Sequence, residues 1–149
     1  MASAAIVPGC VENIYDNQGK AQAAMITPRQ QWRVEGDVND PAYAIDGLLS
    51  TASTTGYDYD NATVTIDLGK ICLFNMVVID HGENENGFCR RLAMLTSTNG
   101  KTFIRRKIAP GNRRVSIICL ISPILARYVR LQAISQGQEP WALAEIHMQ

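Results

Sequence analysis

The chain reads as a series of short stretches in which apolar and polar residues alternate every second position, broken by glycine, asparagine and proline turns. The clearest is Ala62-Thr63-Val64-Thr65-Ile66-Asp67-Leu68-Gly69. Ala62, Val64, Ile66 and Leu68 fall on one face and Thr63, Thr65 and Asp67 on the other, which predicts a half-buried strand ended by glycine. Tyr128 to Ile134 alternates in the same way, and Trp32-Arg33-Val34 opens the pattern upstream. Phe74 to Asp80 and Val115 to Ile121 are denser apolar runs, read here as strands covered on both faces. Leu92 to Ser97 leads into Ser97-Thr98-Asn99-Gly100-Lys101, a hairpin signal because Asn-Gly tolerates the positive φ of tight turns. Thr102 to Ile104 follows it, and Leu143 to Met148 is the last predicted strand. Turn signals every 8–15 residues and no amphipathic helix argue for an all-β sandwich of seven or eight strands.

Residues 1–31 stand apart from this pattern. Pro8-Gly9 and Asp16-Asn17-Gln18-Gly19 mark turns between short apolar pieces at Ala4–Val7 and Ala21–Ile26. They are read as an N-terminal extension or arm packed on a sandwich that occupies residues 32–149.

Composition narrows the class. The 149 residues suffice for one domain with a real core, and 46% apolar against 19% charged residues is a globular balance. The longest apolar stretch, Val115 to Leu125, is interrupted by Ser116, Cys119, Ser122 and Pro123, so no membrane span is expected. The chain is therefore read as soluble; its N-terminus as it stands lacks the basic leader and apolar run of a secretory signal, and the compartment is left open, an extracellular, virion or cell-surface setting included. Cys10, Cys72, Cys89 and Cys119 are widely spaced and accompanied by only two histidines, which argues against zinc; Cys72 and Cys119, in apolar segments, are expected as buried free thiols.

The net charge is zero but unevenly spread. Residues 1–85 carry four basic against twelve acidic side chains, and residues 86–149 ten against two. In a sandwich with interleaved strands these halves are expected mostly to neutralise each other. Arg105-Arg106-Lys107 and Arg113-Arg114 lack the aromatic interleaving of a nucleic-acid face, so no nucleic-acid partner is expected.

Several of these stretches, in this order, resemble the discoidin, or coagulation factor 5/8 C-terminal, family and its relatives the galactose-binding-like carbohydrate-binding modules. The matching pieces are Ala44-Ile45-Asp46-Gly47 with Ser50-Thr51, Val64–Gly69, Leu95–Phe103, Ala126–Leu131 and Ala144-Glu145-Ile146. The resemblance covers roughly residues 32–149. It implies a jelly-roll β-sandwich of about eight antiparallel strands, a non-catalytic, lectin-like role in carbohydrate binding, and a structural calcium ion. Carried over by position, the calcium ligands are the carboxylates of Asp46 and Glu145, the hydroxyl and carbonyl of Thr51, and main-chain carbonyls at Tyr43 and Leu48. Hard oxygen donors on a glycine turn suit calcium's loose six-to-eight-fold shell. Two departures stand out: Leu48 replaces a commonly polar residue, and Ala52-Ser53-Thr54-Thr55 replaces a common tryptophan.

Recognition in such a fold falls to loops at one end of the sandwich. A sugar offers apolar C–H faces and a fringe of hydroxyls, so its site needs an aromatic platform beside fixed polar groups. Tyr57, Tyr59, Phe88 and Trp141 are candidate platforms, and His81, Asn84, Asn86, Arg90 and Arg91 candidate polar groups. His81 beside Asp80 and Glu83 suggests a general base, but no nucleophile elbow, HExxH or phosphate-cradling loop accompanies it, so no catalysis is expected. A second reading uses the same sandwich as a scaffold in an assembly, an oligomer, virion or surface layer, with residues 1–31 as the contact arm and a homo-oligomer as its product.

Overall fold

The computed structural model describes residues 24–149. Two long strands form its spine: β3 (Ala62–Asp80) and β6 (Val115–Ser135), antiparallel to each other over nearly their whole length. The sequence pattern divides each of these into two strands. In the structure each runs on through a bend, with register shifts between Asp67 and Cys72 and between Phe74 and Met76 where the pair turns a corner. Gly69, at φ 89°, sits in the first bend, and the Asp67 carboxylate accepts its N–H at 2.8 Å.

The other strands add to this spine. β1 (Arg33–Gly36) pairs with the first half of β3, and β8 (Glu145–Met148) with the second half. β4 (Arg91–Ser97) pairs with β6, and β5 (Ile104–Pro110) with β4, giving the order β1-β3-β6-β4-β5 with β8 beside β3. β2 (Ser53–Thr54) and β7 (Ala142–Leu143) make a separate two-stranded piece. Every pairing is antiparallel. The result is the eight-stranded, galactose-binding-like β-sandwich the resemblance implied, and among the described residues no helix is long and apolar enough to cross a membrane.

The alternation read from the sequence fills the core. Val64, Ile66 and Leu68 from β3 meet Val129 and Leu131 from β6, Leu92 and Met94 from β4, and Trp141, Leu143 and Ile146, all almost wholly buried. Burying side chains of this size contributes about 1.5–3 kcal/mol each. The β4–β5 turn is built as its Asn-Gly signal predicts. The Ser97 hydroxyl accepts the Gly100 N–H, and the Asn99 carboxamide accepts those of Lys101 and Thr102. Gly100 takes the positive φ, 76°, under the ring of Tyr128.

Three expectations are corrected here. Val115–Ile121 is not covered on both faces: Ser116 and Ile118 point inward, while Ile117, Cys119 and Ile121 point outward and are exposed. Cys119 is therefore a surface thiol rather than a buried one, whereas Cys72 is buried and free as expected. Phe74–Asp80 likewise buries one face only, with Met76 and Val78 half-exposed on the other. An apolar run cannot reveal whether a second layer covers its outer side, and among residues 24–149 none covers this one. Residues just upstream of 32 are tied to the strands. Thr27 donates to the Leu68 carbonyl, Trp32 donates its indole N–H to Thr27, and the Ala24 carbonyl accepts the Leu73 N–H. The rest of the predicted arm, residues 1–23, lies outside the described residues.

The charge halves neutralise each other in part. Asp67 pairs with Arg127, and Glu85 with Arg113 and Arg114. The Arg127 guanidinium holds the Asp67 carboxyl below the usual carboxylate range.

Candidate functional site

Two groups of loop residues, both singled out from the sequence, are assembled at corners of the sandwich. The first joins the two ends of the chain. A 3₁₀ turn at Pro41–Ile45 delivers Asp46, and Gly47 at φ 84° turns the backbone so that its N–H reaches the Glu145 carboxylate at 2.8 Å. The other Glu145 oxygen accepts from the Arg29 guanidinium. Glu145 is 3% exposed, so its charge depends on these partners. Asp46, on the surface, accepts the Thr51 hydroxyl at 2.5 Å and the Leu48 N–H at 3.0 Å, and the Thr51 hydroxyl lies 3.5 Å from the Leu48 carbonyl. The Thr51 hydrogen bond, foremost, holds the Asp46 carboxyl below its ordinary value.

These contacts test the donor set for calcium. The Asp46 carboxylate, Thr51 hydroxyl and Leu48 carbonyl converge, and Gly47 links them to Glu145. All are hard oxygen donors of the type calcium takes. Tyr43 lies within the 3₁₀ turn with its side chain exposed. Among the described residues no group of three or more His, Cys, Asp or Glu assembles, so a cation here would rely on carbonyl and hydroxyl oxygens beyond its two carboxylates. Arg29, which sequence reasoning missed, already supplies Glu145 with a positive charge. Its only sequence signal was its place in an apparently unpatterned stretch.

The second group lies around the loop from His81 to Arg90. Asn86, Phe88 and Arg90 line one depression of about 200 Å³ together with Gly137 and Gln138. Among the described residues the side chains of Asn86 and Arg90 form no hydrogen bond, and both residues are exposed. Asn84 lines a separate depression of about 180 Å³ with Thr54, Thr55, Gly87, Glu139, Pro140 and Ala142. Tyr57 is exposed, on the 55–61 loop, and lines neither. Arg91 is exposed at the start of β4.

The remaining candidates are withdrawn from the surface. His81, at 0% exposure, bridges two strands: its Nδ1 lies 2.7 Å from the Ala142 carbonyl of β7 and its Nε2 2.8 Å from the Ser116 hydroxyl of β6. A neutral ring with Nδ1–H donating to Ala142 leaves Nε2 to accept from Ser116. Burial pushes its pKa down, which keeps it neutral. This is a strut and not a base or a ligand contact. Trp141 and Tyr59, 0% and 3% exposed, stack with ring centroids 6.4 Å apart beneath the loops. Neither can serve as a platform. An aromatic on a loop reads alike in sequence whether it faces a ligand or the core, and here the core takes both.

Tyr59 nevertheless shapes the depression. Its hydroxyl accepts the Gly137 N–H at 2.6 Å and donates to the Phe88 carbonyl at 3.4 Å, tying one wall to the other. Gly137 fits this gap because a Cβ there would stand 2.2 Å from the Phe88 carbonyl oxygen. Phe88, half-buried and tilted against His81 at 6.4 Å, is the aromatic side chain left in the wall. The arrangement offers an aromatic edge, a carboxamide and a guanidinium around a shallow concavity. It contains no nucleophile–base pair.

Comparison with known proteins places this geometry. The F5/8 type C domain family matches residues 22–146. No curated protein sequence matches the chain. Among solved structures, the family 32 carbohydrate-binding module of NanJ from C. perfringens, in complex with galactose, is 24% identical. It superposes with a TM-score of 0.69 over 81% of this chain and 95% of that one. CpGH89CBM32-5 from Clostridium perfringens, in complex with GalNAc-β-1,3-galactose, is 18% identical with a TM-score of 0.73, covering 81% and 96%. A mutant of chitosan-binding module 1, derived from a chitosanase/glucanase of Paenibacillus sp. IK-5, is 15% identical with a TM-score of 0.65, covering 84% and 95%. The family match begins at residue 22, close to where the described packing begins, and ends just past Glu145, so it takes in both corners; this chain belongs to the F5/8 type C domain family.

Proposed function

We propose that this chain is a non-catalytic carbohydrate-binding module that holds one sugar ring in the depression lined by Asn86, Phe88 and Arg90. The observation that carries this reading is the exposed carboxamide and guanidinium set around a half-buried aromatic in one shallow concavity. The depression is smaller than the roughly 300–1,000 Å³ of drug-sized pockets, which suits a single ring rather than a long enclosed chain. The similarity to modules solved with galactose and with GalNAc-β-1,3-galactose makes galactose-containing glycans the first ligands to try. Titration calorimetry with galactose, preceded by a glycan array, tests the reading. Micromolar-to-millimolar binding that Arg90→Ala weakens is expected; silence of intact protein across a broad array would sink it.

As part of the same proposal, calcium binds at the Asp46 corner, held by the Asp46 carboxylate, the Thr51 hydroxyl, the Tyr43 and Leu48 carbonyls and Glu145. Bound there it would draw the 43–51 loop and the chain's last strand together. Since Arg29 already pairs with Glu145, a cation must share or displace that guanidinium. Calcium affinity is therefore expected to rise in Arg29→Ala, as read by calorimetry with the metal alone.

A further inference from the structure

A concavity beside the β4–β5 hairpin turn lies at the opposite end of β4 from Arg90. The seven residues of β4, Arg91–Ser97, separate the two ends by about 20 Å of strand. Thr98, Asn99, Thr102, Ile104, Arg106 and Leu125 line it, next to Thr96 and Ser97, and its volume is about 150 Å³. No acidic side chain is among them.

The turn's own hydrogen bonds use up its acceptors and leave donors. The Asn99 carboxamide oxygen accepts the Ser97 hydroxyl and the N–H groups of Lys101 and Thr102. Those donors fix which way the amide faces, and its NH₂ group makes no hydrogen bond among the described residues. The Ser97 hydroxyl accepts the Asn99 and Gly100 N–H groups, so its oxygen is spent as well. The Thr96 hydroxyl, on a residue 1% exposed, accepts the Arg106 Nε–H at 2.9 Å. This holds the guanidinium by one side and leaves both terminal nitrogens to donate elsewhere. A hydroxyl does not neutralise a guanidinium. Arg29, Arg113, Arg114 and Arg127 each meet a carboxylate, whereas no ion pair of the described residues uses Arg106. Lys101, exposed on the same turn, adds a second positive charge.

We infer that this concavity binds a sulfate or phosphate monoester. Such a group is anionic and offers several oxygens that only accept hydrogen bonds. The terminal nitrogens of Arg106 suit two of those oxygens side by side, and the Asn99 NH₂ and the Thr98 and Thr102 hydroxyls are placed to serve the others. The carbon of the ester needs apolar neighbours, and Ile104 and Leu125 provide them in the same concavity. Sulfate and phosphate esters share this chemistry. The site is separate from the Asn86–Arg90 depression, and the inference stands whether or not a sugar binds there.

Two-dimensional amide NMR of the full chain tests this. Methyl sulfate, methyl phosphate, inorganic sulfate and inorganic phosphate are titrated separately, with chloride holding the ionic strength constant. Saturable shifts confined to residues 97–106, at millimolar concentrations of at least one methyl ester, are the expected result, and the arm that saturates first identifies the preferred acid. Arg106→Gln should weaken this binding at least about tenfold, while Arg105→Gln, a charge change next door, should leave it within a fewfold. The signals of residues outside 97–106 should stay in place in both variants, which shows that the fold is kept. Shifts that never saturate, or that spread over every exposed lysine and arginine, overturn the inference. So does binding that survives Arg106→Gln or falls equally in Arg105→Gln. Inorganic ions bound as tightly as their methyl esters overturn the assignment of an ester.

Discussion

The two corners of this sandwich differ in how their polar groups are spent. At the Asp46–Glu145 corner the chain satisfies its own side chains: Glu145, 3% exposed, accepts Arg29 and the Gly47 N–H, and Asp46 accepts Thr51 and Leu48. At the Asn86–Arg90 depression the buried groups, His81, Tyr59 and Trp141, hold the loops in place, and Asn86 and Arg90 remain open. The first corner's polar groups pair within the chain, and on the proposed function the second corner's meet a sugar. A polar side chain that is buried and paired stabilises; one that is exposed and unpaired on a rigid support is available for binding.

This contrast can be broken most decisively at Glu145. Glu145→Ala leaves the Gly47 N–H and Arg29 without their acceptor. After discounting for the partly exposed Arg29, we expect a loss of about 2 kcal/mol, read by urea denaturation, with sugar affinity unchanged per folded molecule. A stable Glu145→Ala protein would remove this corner from the closure of the sandwich.

Next in size is Arg90→Ala. Galactose affinity should fall about tenfold, which corresponds to about 1.4 kcal/mol, while the melting temperature stays within a degree or so because Arg90 is exposed. Equal binding by variant and parent would move the site elsewhere, and the Asn84 depression is then the next to test.

His81 gives a smaller, pH-dependent effect. Its folded-state pKa is depressed by burial, so the unfolded chain binds the proton more readily. Stability is therefore full above the unfolded value of about 6.5 and declines as pH falls below it toward the depressed folded value. Melting curves at pH 7.5 and 5.5 should show a drop in the parent that His81→Gln largely lacks. Equal drops in both would mean that other groups carry the acid sensitivity.

The smallest expected effect is at Asp46. Asp46→Ala should leave the sugar site untouched and abolish any rise in melting temperature on adding calcium. A calcium response that persists in the variant would place the cation elsewhere.

Much of the architecture was legible beforehand because it follows from local rules. Period-two alternation at 62–69 and 128–134 identified core strands, and Asn99-Gly100 fixed a hairpin. The ordered motifs led to the family, and the structure ties the Asp46 turn to Glu145 through the Gly47 N–H, with Arg29 on the other carboxylate oxygen. The candidate residues of the 81–90 loop divide: Asn86, Phe88 and Arg90 share a depression, but His81, Tyr59 and Trp141 are buried.

What the sequence by itself determined was which residues alternate, where the chain turns and which family it joins, since these depend on neighbours a few positions apart. Only the tertiary structure decided which apolar and aromatic side chains face inward. Val115–Ile121 has the composition of a doubly covered strand, yet its odd-numbered residues face outward because no described layer lies over them. His81 has the composition of a site residue, yet Ala142 and Ser116, 61 and 35 positions away, claim both its nitrogens. Burial is a property of what packs from elsewhere in the chain, and a local pattern carries no record of it.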